Sequence, residues 1–104
     1  MAYRILVSKV ADQDIEDIFF YILDDSVDAA VRFRDALDGL FERLKAFPHI
    51  GSMREFKNAL SGSVRMLPVS GFNAYLVFYQ VGEDTVEILR VLHGARDIED
   101  LFEA

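Results

Sequence analysis

The sequence predicts an α+β fold: an N-terminal strand, an antiparallel helix hairpin packed on one face of a small, mainly antiparallel sheet, and a short C-terminal helix. Three observations carry that expectation. Ala30, Phe33, Leu37, Leu40, Leu44 and Phe47 recur at steps of 3, 4, 3, 4 and 3, the spacing of one helical face. The second half instead holds β-prone runs such as Tyr75, Val77, Phe78, Tyr79 and Val81. The turns between those runs are so short that neighbouring strands must be antiparallel.

Taken in order, Tyr3–Val7 starts with alternating apolar and polar residues and reads as the first strand. Ser8 follows as a helix N-cap, its hydroxyl placed to accept from a first-turn amide. Ala11, Ile15, Ile18 and Ile22 then lie on one face of a helix running from about Lys9 to Leu23. Asp12, Asp14, Glu16 and Asp17 sit near its positive end. Asp24-Asp25-Ser26 breaks that helix, and Ser26 caps the second, which Pro48 stops because the residue before proline leaves the helical region. His49–Gly62 is a loop-like joint with an extended piece around Arg54-Glu55-Phe56. Val64–Val69 is a strand whose Pro68, unable to donate to a ladder, belongs on an edge or at an end. After a turn at Ser70-Gly71-Phe72 come a strand at Asn73–Val81, a turn at Gly82-Glu83-Asp84, a strand at Thr85–Leu92 and a helix at Asp97–Phe102.

The chain's 104 residues suffice for one domain with one core, and no linker or repeat divides 1–104. With 52% apolar and 12% aromatic residues the chain is not disordered. It has no cysteine, which removes disulfides, thiolate nucleophiles and cysteine metal ligands. Met1–Val10 has neither the apolar core nor the cleavage site of a secretion signal. The longest apolar run, Ala74–Tyr79, is far too short to span a membrane. A soluble cytoplasmic protein is expected. Lys plus Arg is 11 and Asp plus Glu is 18, a net charge of −7, and no basic run occurs. A protein held by nucleic-acid phosphates needs a basic surface, so direct nucleic-acid binding is not expected.

The two long strands are apolar on both faces. Ala74, Leu76 and Phe78 oppose Tyr75, Val77, Tyr79 and Val81, while Val86, Ile88 and Leu92 oppose Leu89 and Val91. One helix hairpin covers one such face. The other must meet the last helix, a second chain or water, and an uncovered apolar face of this size marks an interaction surface.

Three segments together resemble the RelE/ParE toxin superfamily. They are Asp14-Ile15-Glu16-Asp17-Ile18 with Tyr21-Ile22, Leu44-Lys45-Ala46-Phe47-Pro48-His49-Ile50-Gly51, and Val86 through Asp97. Val64–Val69 followed by Tyr75–Tyr79 is similar to the superfamily's middle hairpin, and the ending His93-Gly94-Ala95-Arg96-Asp97 resembles the ParE-like branch. The resemblance implies the toxin of a type II toxin–antitoxin, plasmid stabilisation system, neutralised by a ParD-like antitoxin whose extended segment wraps it. ParE-like members poison DNA gyrase, whereas RelE-like members cut messenger RNA in the ribosomal A site. One scaffold serves both, so a nuclease and a non-toxic binding module remain alternatives.

Ribonuclease chemistry needs a base, an acid and cations for the phosphate. The candidates are Arg65, Arg90, His93 and Arg96, of which Arg65 and His93 fall where the resemblance places catalytic groups. Gly94 follows His93, and the nearest downstream aromatic, Phe102, transfers no proton. The bland reading of His93 is a strand-end histidine with one hydrogen bond. A protein-binding role for the same four residues is a contact with an acidic partner surface through bidentate carboxylate pairs. Tyr75, Val77, Tyr79, Leu89 and Val91 are the expected antitoxin-binding residues. No cofactor is implied, and two histidines 44 positions apart offer no metal-ligand spacing.

Overall fold

The computed structural model describes residues 2–54 and 63–95. Its elements are β1 (Arg4–Val7), α1 (Lys9–Leu23), α2 (Val27–Ala46), β2 (Ser52–Arg54), β3 (Val64–Val69), β4 (Phe72–Val81) and β5 (Thr85–His93). The five strands form one sheet in the order β1-β5-β4-β3-β2. β1 runs parallel to β5, with Ile5 opposite Val86, and every other pairing is antiparallel. The position of the first strand, which sequence leaves open, is therefore the edge beside the last. The C-terminal helix expected at Asp97–Phe102 lies outside the described residues, as does most of the extended piece at 54–56, where Arg54 ends β2.

Both helices start where a serine can cap them. The Ser8 hydroxyl accepts from the Ala11 amide at 3.0 Å and the Ser26 hydroxyl from the Ala29 amide at 3.1 Å. Such a cap contributes about 1 kcal/mol by satisfying a donor the helix leaves orphaned. In α2 the apolar stripe Ala30, Phe33, Leu37, Leu40 and Leu44 is buried. Phe47 leaves the stripe. Ahead of Pro48 it takes φ −134° and ψ 71°, off the helical path, and its side chain is 64% exposed rather than in the core. Phe41 is half-buried at the margin of the same cluster.

The helix pair lies over one sheet face, burying Val69, Val77, Tyr79, Val86, Ile88 and Val91. Phe33 anchors this core, meeting Phe72 and Tyr75 edge-on with centroids 5.4 and 5.7 Å away. Burying such a side chain contributes about 3 kcal/mol at most. A second cluster, Val64, Phe78 and Leu92 with Met66, Leu76 and Leu89 packed against it, occupies the opposite face. Strict alternation in β5 puts Val86, Ile88 and Leu92 together. The structure puts Val91 with Val86 and Ile88, and Leu92 with Leu89. The reason is a bulge: Tyr79 pairs with Ile88 but Phe78 with Arg90, leaving Leu89 without a partner across the ladder and switching the faces beyond it.

Two smaller features follow from backbone chemistry. β2 pairs with β3 only as far as Met66, so Pro68 sits past the end of that ladder, where its missing amide costs nothing. The two-residue turn between Val69 and Phe72 carries Gly71 at φ 79°, a conformation a side chain would strain.

Candidate functional site

Of the basic residues expected at a target site, Arg65 and His93 lie well apart. Arg65 faces Tyr79 across β4 and His93 faces Tyr75, four residues along the same strand. That register separates the two backbones by roughly 13 Å along the strand direction alone. Arg96 lies outside the described residues.

Arg65 and Arg90 instead hold the fold. One Arg65 nitrogen donates to the carbonyls of His49 at 3.0 Å and Gly51 at 2.8 Å, tying down the loop after α2. From the same side, the buried Tyr79 hydroxyl accepts from the Gly51 amide at 2.8 Å. Burial pushes the Tyr79 phenol above the usual 10.0, with the Gly51 hydrogen bond and the Arg65 charge pulling the other way. The neutral phenol is thus favoured in the folded state. Its contribution to stability is complete below pH 10.0 and is lost as pH rises through the folded-state value. Tyr79→Phe is expected to cost about 1–2 kcal/mol at neutral pH by orphaning the Gly51 amide, and to flatten the stability loss above pH 10.0. Denaturant titrations of parent and variant on both sides of that pH measure both effects. A variant whose alkaline loss matches the parent's contradicts the assignment.

Arg90 reaches across to α1. Its Nε donates to Asp14 Oδ2 at 2.7 Å and Nη2 to Oδ1 at 2.8 Å, a bidentate pair with both side chains largely buried. Asp14 Oδ2 also accepts from the Val91 amide at 3.1 Å, and the Ser8 hydroxyl donates to the Leu89 carbonyl at 3.1 Å. The start of α1 therefore satisfies backbone groups on both sides of the β5 bulge. The sequence places Asp14 only among the acids near the positive end of α1.

His93 ends β5. Its ring meets Tyr75 edge-on at 5.5 Å, and its Nδ1 accepts from the Ala95 amide at 3.3 Å. It is half-exposed, with the chain turning away at Gly94, whose amide donates to the Ala74 carbonyl at 2.7 Å.

The residues expected to meet an antitoxin divide between the two faces. Val77, Tyr79 and Val91 are fully buried beneath the helices, and Tyr75 packs half-buried against the same cluster. Leu89 belongs to the opposite face. Placing the first four on an open sheet face is corrected by the side of the sheet the hairpin takes, which alternation alone does not specify.

The strand, the two-helix hairpin and the strand meander closing back on the first strand are the layout expected of the superfamily. The family described as ParE toxin of type II toxin-antitoxin system, parDE, matches residues 5–98. The chain belongs to this family of toxins. A search of curated proteins finds no match. As a ParE-family toxin the chain is assigned to a two-component system whose partner is an antitoxin. Among the described residues, no helix is long and apolar enough to cross a membrane.

Proposed function

We infer that this ParE-family toxin acts in the cytoplasm, inhibits DNA gyrase by protein–protein contact, and is neutralised by a cognate ParD-like antitoxin, so stabilising the plasmid or locus that encodes the pair. The observation that carries the reading is what the candidate catalytic groups are bonded to. Arg65 donates to two backbone carbonyls and Arg90 pairs with Asp14, so two of the cations a phosphate would need are engaged in holding a loop and a bulge. His93 stands well apart from Arg65, against Tyr75. A net charge of −7 further opposes docking among ribosomal RNA phosphates. A gyrase inhibitor needs none of these groups assembled, only a complementary protein surface, and the half-exposed His93 end of β5 is part of that surface in this reading. Leu89 keeps its assignment to antitoxin contact, because its side of the sheet is not the one the helices occupy.

Expression of the chain alone is expected to arrest growth, and co-expression of the adjacent antitoxin gene to restore it with formation of a stable complex. Arrest accompanied by messenger RNA cut in the ribosomal A site, and lost in His93→Ala, would transfer the target to the ribosome. Complex formation without arrest would leave a binding module that is not toxic. His93→Ala is the cleaner variant for this purpose, since Arg65→Ala also frees the His49–Gly51 loop.

A further inference from the structure

The charge of the chain is not spread evenly. Of its 18 acidic residues only Glu55 falls within 43–82, a stretch that holds five of the 11 Lys and Arg: Arg43, Lys45, Arg54, Lys57 and Arg65. A protein of net charge −7 thus has one locally basic stretch, and it begins where the end of α2 runs through the 47–51 loop into β2. This corner is also apolar. Phe47 is 64% exposed, Met53 55% and Ile50 42%, all within seven residues of sequence. Arg43 lies one turn before Phe47, whose amide donates to its carbonyl at 2.8 Å. Its side chain is exposed and has no ion-pair partner among the described residues, while Lys45 is held by Glu42 at 2.6 Å. The loop itself is firmly tied. Pro48 is buried, the Gly51 amide donates to Tyr79, and Arg65 holds the carbonyls of His49 and Gly51.

We propose that the corner between α2 and β2 is a docking surface for an acidic segment of a partner protein, which sets an apolar residue against Phe47, Ile50 and Met53 and its carboxylates beside Arg43. Exposed apolar side chains rimmed by polar ones mark an interaction surface, and a loop already ordered spares a partner the cost of ordering it. Charge chooses among occupants. An acidic segment is repelled by the rest of the protein and attracted here, so the local field fixes where it lands. A nucleic-acid backbone or an anionic bilayer extends past the corner and over residues 12–42, which carry ten acids. Ile50 and Met53 offer no ring for a base to stack on, and Phe47 offers one. A second copy of this chain could bring those ten acids to the corner, but that head-to-tail contact leaves one corner and one acidic face open and does not close. Arg65 pairs with Tyr79 and His93 with Tyr75, so this contact is separate from the one assigned to the His93 end of β5, and its test stands whatever the toxin's target is.

The test uses the full-length protein and three labelled synthetic peptides of roughly 12 residues, enough to span an interface of a few side chains. The first carries Leu and Phe anchors among Asp and Glu, the second the same anchors among Ser, and the third the same acids with Ala for the anchors. Fluorescence anisotropy is expected to show binding of the first, weakened roughly fivefold between low and physiological salt, and roughly tenfold or weaker binding of the other two. Phe47→Ser should weaken the first peptide roughly tenfold, as befits a central anchor. Arg43→Glu with Lys45→Glu should abolish its advantage over the Ser peptide. Circular dichroism checks the fold of each variant, and Met53→Ser and Arg43→Gln with Lys45→Gln, expected to act in the same directions, replace any that does not fold. No binding of the first peptide, equal binding of the first two, or binding indifferent to the substitutions overturns the proposal. So does a single-stranded oligonucleotide that binds as tightly as the first peptide and is lost in the same variants, which would make nucleic acid the occupant. Self-association of the parent that Phe47→Ser dissolves overturns it too, in favour of a second copy.

Discussion

Asp14→Ala is expected to destabilise the protein by about 2–4 kcal/mol, lowering its melting temperature by roughly 10–20 °C. Asp14 is a single carboxylate with three donors: two nitrogens of Arg90 and the Val91 amide. Its side chain is only 12% exposed and that of Arg90 20%, so water does little to replace what is lost. Alanine leaves a largely buried guanidinium without this counter-charge and a strand amide without its acceptor, and each costs more than the hydrogen bond itself was worth. Asp14→Asn separates the two effects. The amide oxygen still accepts from Val91 but no longer balances Arg90, so its cost should fall between parent and Ala. Denaturant unfolding of the three proteins measures the series. An Ala variant within about 0.5 kcal/mol of the parent would remove the α1–β5 junction from the account.

Gly51→Ala is expected to cost about 1–3 kcal/mol through overpacking. A Cβ at this position would lie 2.5 Å from the Tyr79 hydroxyl oxygen, 2.8 Å from Cε1 and 2.9 Å from Cζ. Tyr79 cannot swing away, since its ring is fully buried in the core under the helices. The loop cannot lift easily either, because Arg65 holds the carbonyls of His49 and Gly51. The conflict is therefore shared between two residues, which makes it testable as a coupling. Tyr79→Phe removes the nearest atom, so the double variant Gly51→Ala/Tyr79→Phe should lose less stability than the two single losses added together. Strict additivity in unfolding experiments would show that glycine is needed here for some reason other than the approach of Tyr79.

What the sequence made legible was local. Ser8 and Ser26 were readable as caps because a hydroxyl at the right place before an apolar repeat has one efficient use. The α2 stripe was readable because its period is that of a helix, and the β-rich half because short turns dictate antiparallel pairing. Phe47 leaves the pattern because Pro48 pushes the residue before it off the helical path, a tertiary consequence that the period of the stripe does not carry. The site was read less well, because its geometry depends on distant pairings. A one-residue bulge at Leu89 switches the faces of β5, and nothing in alternation announces it. Which face of β4 the helices would take decided that Val77 and Tyr79 are core, with Tyr75 half-buried at its margin, and not an open contact surface. Asp14 meets Arg90 from 76 positions away, and Tyr79 serves Gly51 from 28 positions away. The first had no local signal, and the second none beyond a glycine in a loop.

The central claim is that this ParE-family toxin works by binding a protein target and not by cutting RNA. Supercoiling of relaxed plasmid by purified DNA gyrase, in the presence of the toxin or its His93→Ala variant, tests it most directly. The account predicts that both proteins inhibit supercoiling, with potencies within a few-fold of each other, because a single strand-end side chain contributes modestly to an extended protein interface. Undiminished supercoiling with the unaltered toxin in excess, alongside A-site cleavage in a translating extract that His93→Ala abolishes, would contradict it.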